Sequence, residues 1–529
     1  MNIRKPVLAV AFVAASALLA PWYGPAIRAS AATPASIGDD LDGSVKALTS
    51  AYALIEKNFA DPVSSEKAFY QGAIPGMLHT LDPHSNFVDP AEWREMQRRM
   101  KAAYYGVGME ITEDNGKVVV TRPFPGSPAW RGDLRRGDVI SAVDGKDTTG
   151  MSSANVADML RGPRGTQVRI TVKREGAPDY ISTEVTRGEI ETSIVDAFWL
   201  KPGTVYLKID SFEAQNVARD VEADLAKLGE QNVTGMVFDL RGNPGGLVNE
   251  AVAVAGRFLR DRQVVVSHRG RAEAEQVFTA HAVPAAQKYP IVVLVDSRSA
   301  SAAEIVSGAL QDHDRAWLMG DTTFGKGLVQ AQFPLSEGAL LLTIAHYYTP
   351  SGRLIQRDYS NRSFFDYYYA RHDAPNMSDL KATDSGRKVY GGGGITPDEK
   401  YPSTHYSAFQ RRLAPITFVF FHFGNQYFNG RKPTLPADWQ PDEDVMNQFK
   451  AFIKTQKIDF TEAEWNTDKE WIRGEIRYEL YFRAFDKTTA DRARWMDDPE
   501  VKKGVENLPK AQSLLQQVQR VMAQRGARG

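Results

Sequence analysis

Cysteine is absent from the 529-residue chain. Its absence excludes a cysteine nucleophile, thiolate metal sites and disulfides, and is neutral on compartment, since an envelope protein can do without disulfides. Neither charge is in surplus: 64 Lys and Arg stand against 65 Asp and Glu. A nucleic-acid binder would carry a basic excess, so nucleic acid is argued against as a partner. Long apolar runs are scarce as well. The charge-free run Pro6 to Ala20 follows Arg4 and Lys5, and Ala29-Ser-Ala31 then supplies small residues at cleavage spacing. This pattern predicts a secretory signal peptide over residues 1–31. The alternative is an uncleaved N-terminal anchor, although the run falls short of the roughly 20 residues a span needs unless Pro21-Trp-Tyr-Gly24 is added. Either reading places the protein in the periplasm or cell envelope, the second with membrane association through the N-terminus.

The length predicts several domains. Residues 32–40 read as a small-residue linker. Residues 41–102 read as helical, with apolar positions recurring at three and four in Val45 to Ile55. Leu81-Asp-Pro-His-Ser85 interrupts that pattern, and His79 and His84 read as structural because no second ligand lies at metal-binding spacing. Residues 103–180 read as β-rich, with the turn signal Val143-Asp-Gly145 and a last strand Gln167 to Lys173. Residues 181–400 alternate strands and helices, as in an α/β fold. Residues 401–529 carry Trp439, Trp465 and Trp471 and a helical stripe of Leu514, Leu515, Val518, Val521 and Met522, and read as a packed, mostly helical region of unassigned role.

Chemistry concentrates after the β-branched run Ile291 to Val295, in Asp296-Ser-Arg-Ser-Ala-Ser301-Ala-Ala-Glu304. Ser301 falls where a strand becomes a helix, a place that exposes a hydroxyl and leaves the first helical N–H groups free for an oxyanion. Ser299 and Ser301 are equally N-cap candidates. Lys326 lies 25 residues beyond Ser301. A lysine can deprotonate a serine if burial keeps its amine neutral, and Phe324, Leu328 and Val329 supply apolar surroundings. Arg241-Gly-Asn-Pro-Gly245-Gly246 reads as a strand-to-helix loop; the lysine and Ser/Thr of a P-loop are missing, which disfavours nucleotide binding.

Ser-Ala-Ser-Ala-x-Glu-Ile, Thr-Phe-Gly-Lys-Gly-x-Val-Gln330, Leu342 to Gly352 and Gly394-Ile-Thr-Pro-Asp398 together resemble the C-terminal processing, or tail-specific, peptidases. Tyr104 to Ile111 and the blocks after it resemble a PDZ domain. The resemblance implies a multidomain α+β protein: a helical N-terminal segment, a PDZ domain over 103–180, an α/β crotonase-like (spiral) protease domain over 181–400, and the additional helical C-terminal region. It implies a serine endopeptidase that recognises and cleaves protein C-terminal tails. Ser301 would be the nucleophile, Lys326 the general base and Gln330 the residue orienting it. The N–H groups of Ala302 and of Gly245 or Gly246 would form the oxyanion hole. Tyr105, Gly106, Val107 and Gly108 would hold the substrate's terminal carboxylate. No cofactor or metal is called for. The implied partners are proteins and peptides with free C-termini, and the reading allows an adaptor protein. Arg298 and Ala303 depart from the family pattern, where glycine and serine are common. The alternatives are a PDZ-type peptide-binding scaffold with an inactive protease domain, and a Ser-His-Asp hydrolase, for which a Gly-x-Ser-x-Gly motif is missing.

Overall fold

The computed structural model describes residues 38–526 except 91, 94–104, 191–193, 273, 282–287, 336–337, 361–365, 368–375, 402–405 and 414–417. The N-terminal apolar segment therefore lies outside the described residues, and no described helix is long and apolar enough to cross a membrane. Helix Gly38–Asn58 forms where the three-and-four spacing predicts it, yet its Leu41, Val45, Leu48 and Ile55 face outward.

A five-strand antiparallel path follows, ordered Met109–Asp114, Lys117–Pro123, Val139–Val143, Gln167–Lys173 and Ile181–Thr186. Asp144 and Gly145 both take positive φ, the geometry a two-residue hairpin turn demands. The sequence boundary at 180 needs correction. Strand Ile181–Thr186 pairs with Gln167–Lys173, and Gly188–Glu189 pairs with Tyr105–Gly106, so the unit runs on past 180. Gly176 and Pro178 imitate a domain end, whereas the chain only turns there. Met109–Asp114 is an edge strand, and helix Ser153–Leu160 packs beside it.

The next unit centres on a six-stranded sheet, ordered Val195–Lys201, Thr204–Ile209, Gly235–Asp239, Ile291–Val295, Trp317–Gly320 and Glu399–Lys400. Only its first pair is antiparallel. Its strands are apolar on both faces because both faces are covered. Val205, Leu207, Met236, Phe238, Ile291, Val293 and Val295 join a core with helices Val217–Leu228, Val248–Phe258 and Ala302–Asp312. The alternate residues Tyr206, Val237, Val292 and Leu294 face the other way, onto Val501 and Ala511 of the last helix, Pro499–Gly526. The C-terminal helix is therefore half of this sheet's core. A second sheet, built around Ala339–Tyr348, takes strand Asn86–Val88 from the N-terminal region along one side and Leu328–Pro334 along the other.

Between the β-rich unit and the last helix stands a bundle that includes Val419–Phe428, Glu443–Thr455 and Glu462–Ala484, with its own aromatic core. It grips the β-rich unit through a buried ion triad. Arg136 donates to Glu479 at 2.8 and 2.7 Å, and Arg483 donates to the same carboxylate at 2.8 Å. The Arg136 guanidinium also lies over the rings of Phe421 and Phe482. Removing the shared acid would leave two buried cations unpaired, which costs about 3–5 kcal/mol. Glu479→Ala is expected to lower the urea-unfolding free energy by that amount.

Candidate active site

Strand Ile291–Val295 ends in a turn organised by Asp296. Its Oδ1 accepts from the Arg298 and Gly242 amides at 3.0 and 2.9 Å, while its Oδ2 holds the exposed Arg298 guanidinium. Arg298 stands at negative φ, so the departure from glycine leaves this turn unstrained. Ser299 does not cap the helix: its hydroxyl donates to the Leu240 carbonyl at 2.8 Å and ties two loops together. Ser301 precedes helix Ala302–Asp312 with φ 52 and ψ −111, a conformation that L-residues rarely hold. Such strain persists only where the surroundings over-determine it.

The over-determining group is Glu304, fully buried three residues on. Its Oε2 accepts the amide N–H of Ser301 and that of Lys326, each at 2.8 Å. Its Oε1 accepts the Gly325 N–H and the Thr323 hydroxyl, each at 2.6 Å. The amide nitrogens of Ser301 and Lys326 are therefore no farther apart than two hydrogen bonds end to end. Burial raises the Glu304 carboxyl, and these donors pull against it.

The Lys326 side chain is buried, and its one hydrogen bond among the described residues runs from its backbone N–H to Glu304. Burial lowers its amine to about 8, against the opposing charges of Asp82 and Glu304. No acid adjoins Lys326 in sequence; both arrive from other elements. Asp82 accepts from the His84 amide and the Ser85 amide, both at 2.7 Å, and so rigidifies the Leu81–Ser85 interruption. Burial, followed by the Lys326 charge, holds the His84 imidazole well below its usual range, and its Nε2 meets the Tyr367 hydroxyl at 2.9 Å. Gln330 donates its amide N–H to the His84 carbonyl at 2.8 Å and makes no hydrogen bond to Lys326 among the described groups. The structure thus brings Gln330 beside the Leu81–Ser85 segment.

The oxyanion candidates separate. Ala302 opens its helix, and its N–H has no acceptor among the described residues. Gly245, at φ 99, sits against the serine: a Cβ there would lie 2.8 Å from Ser301 Cβ and 3.0 Å from the Ala302 nitrogen. Its own N–H is taken by Asn243 Oδ1 at 2.9 Å. Gly246 packs instead on the Phe212 backbone, where a Cβ would come within 2.2 Å of the carbonyl carbon. Its N–H has no acceptor among the described residues. In the β-rich unit, Tyr105 and Gly106 pair with Glu189 and Gly188. The Val107 and Gly108 carbonyls accept from Ala129 and Phe124, while their N–H groups have no acceptor among the described residues. Gly108 cannot be replaced, since at φ 77 a Cβ would meet Ser127 Cβ at 2.4 Å.

Sequence reasoning missed the parts played by Glu304 and Asp82, of which Asp82 depends on tertiary contacts alone. Glu304 had a legible signal, the Ser-x-x-Glu spacing of a capping box.

Residues 203–360 match the profile of Peptidase family S41, and residues 119–174 match that of a PDZ domain. The chain is 37% identical to a carboxy-terminal-processing protease of Bartonella bacilliformis, over 56% of this chain and 68% of that one. It is 30% identical to the carboxy-terminal processing protease CtpB of Bacillus subtilis, over 62% of this chain and 69% of that one. A carboxyl-terminal-processing protease of Synechocystis sp. is 36% identical, over 56% and 71% respectively. With a PDZ domain followed by a matching peptidase unit, this chain belongs to the carboxy-terminal processing proteases of Peptidase family S41, and is a serine peptidase.

Proposed function

We propose that the protein is a cell-envelope endopeptidase that reads the C-terminal tails of protein substrates with its PDZ domain and cleaves them with a Ser301–Lys326 dyad. The observation that carries this reading is the shared Glu304 carboxylate, which holds both residues' backbones beside one another while burial lowers the lysine amine to about 8. In the proposed reaction, neutral Lys326 takes the Ser301 proton as the hydroxyl attacks the scissile carbonyl. The Ala302 N–H and an N–H of the Gly245–Gly246 pair receive the oxyanion. Gln330 acts from a distance, by bracing the Leu81–Ser85 segment that supplies Asp82. Envelope location rests on the apolar N-terminal sequence with its basic start.

A histidine-based triad fits poorly. His313 caps the far end of the helix that Ser301 precedes, about 18 Å away at 1.5 Å per residue. The inactive-scaffold reading would leave a strained serine and a desolvated lysine with nothing to do.

Tail reading is supported by the edge strand Met109–Asp114 and by the N–H groups of Val107 and Gly108 at its start, which have no acceptor among the described residues. An added strand and a terminal carboxylate would use these groups. The same protein substrate with an amidated C-terminus is expected to be cleaved more slowly than with a free carboxylate, and equal rates would remove this role.

Ser301→Ala and Lys326→Ala are each expected to lose at least about 10⁴-fold in turnover, and the double variant no more than either. The base must be neutral and its amine is lowered to about 8. Activity therefore falls as pH drops below that value, by about tenfold per unit, and reaches a plateau above it. A kcat/KM profile from pH 6 to 10 checks the sign; a plateau already reached at pH 6 would sink the lysine base.

A further inference from the structure

We propose that Glu500, with Asp498 beside it, is a positioning residue for the Arg241–Gly246 loop, so that the C-terminal region completes the catalytic site. The inference rests on the reading of Ser301 as nucleophile. Asp239 ends its strand fully buried and accepts from Arg241 Nε and Nη2, the latter at 2.6 Å. The third guanidinium nitrogen, Nη1, reaches across to the start of the last helix. It donates to Glu500 at 2.7 Å and to both Asp498 oxygens at 3.3 Å. Trp495, just ahead, lies 5.7 Å from the Arg241 guanidinium and stacks with Tyr206, whose hydroxyl donates to Asp239 at 2.7 Å. Lys208 donates to the Arg241 carbonyl at 3.1 Å. The side chain at the root of this loop is thus fixed at every nitrogen.

What the root holds, the loop transmits. Gly242 donates to Asp296, Ala300 donates to the Asn243 carbonyl at 2.9 Å, and Gly245 packs on Ser301. A guanidinium released from Glu500 would keep Asp239 but only the longer 3.3 Å contacts to Asp498 on its third nitrogen, and misplacing a catalytic group by about 1 Å costs about 100-fold. Charge balance argues against a purely stabilising role. Four carboxylates, Asp210, Asp239, Asp498 and Glu500, face two cations, Arg241 and Lys208, in a part-buried setting, and one acid already neutralises the arginine. Burial accordingly pushes the Glu500 carboxyl up to about 7, against the pull of Arg241. Asp498 has an independent duty, since it accepts the Glu500 and Val501 amides at 2.8 and 2.9 Å and so caps the last helix. Among the described residues the Glu500 carboxylate bonds Arg241 only, which makes it the clean probe.

The test uses the full chain at pH 9, where both Glu500 and the lysine are in their working forms. It compares wild type, Glu500→Gln, Glu500→Asp and Ser301→Ala. The readouts are kcat and KM on a peptide, affinity for a peptide boronic acid that forms a tetrahedral adduct on a serine, and the melting temperature. Glu500→Gln is expected to lower kcat and boronate affinity together by about 10- to 100-fold, with KM within about twofold and melting unchanged. Glu500→Asp, which keeps the charge, is expected to recover part of the loss. An unchanged kcat, or parallel losses in kcat, KM and melting, would overturn the positioning role. A wild type indifferent to the boronate, with Ser301→Ala fully active, would overturn the nucleophile assignment, and this inference with it.

Discussion

The Glu304 carboxylate, buried at the first turn of helix Ala302–Asp312, holds four donors from two loops that are distant in the chain. A buried carboxylate is expensive unless its oxygens are satisfied, and hydrogen bonds to a charged group contribute roughly 1.5–3 kcal/mol each. The arrangement works in both directions. The donors make the burial tolerable, and the carboxylate forces Ser301 into a backbone conformation it would otherwise avoid. It also fixes where Lys326 leaves the chain. The low dielectric that makes Glu304 costly is the same one that lowers the Lys326 amine. Any route that loosened Glu304 would therefore disturb both the geometry and the protonation state of the dyad.

The remainder of the molecule surrounds that clamp. The N-terminal region contributes Asp82 and the His84 carbonyl, one to the electrostatics of Lys326 and the other to the Gln330 amide. The C-terminal region does more than trail behind the peptidase unit. Its last helix supplies Val501 and Ala511 to one face of the six-stranded sheet, and the preceding bundle grips the PDZ domain through Arg136 and Glu479. Helix Glu462–Ala484 thus touches the PDZ domain, and the start of Pro499–Gly526 touches Arg241. A short stretch of chain connects the two contacts.

Much of this was legible in the sequence for plain reasons. Ile291–Val295 is uniformly apolar because both sides of its sheet are covered, and Ser301 falls where that run meets helix-forming residues. Asp144-Gly145 specifies its turn by chemistry that only those residue types satisfy. What stayed hidden depends on distant contacts or on atoms the residue letter does not distinguish. Gly245 and Gly246 read alike until one packs on Ser301 and the other on Phe212. Arg241 and Glu500 are separated by most of the peptidase unit and the whole helical bundle. The Leu514–Val518 stripe predicted a buried helical face, and Leu514, Leu515 and Val518 are buried, yet the sheet itself is covered by an earlier part of the same helix, Val501 to Ala511, which the stripe did not mark. The stripe on Gly38–Asn58 predicted its helix and not its environment, since spacing fixes a face and says nothing of what lies against it.

Amide hydrogen exchange tests the clamp most directly. In Glu304→Leu, which nearly keeps the volume but offers no acceptor, the Ser301, Gly325 and Lys326 amides are expected to lose protection together, by tenfold or more, while Ile291–Val295 stays protected. Unchanged protection, or loss in one loop without the other, would contradict a single carboxylate holding nucleophile and base in register.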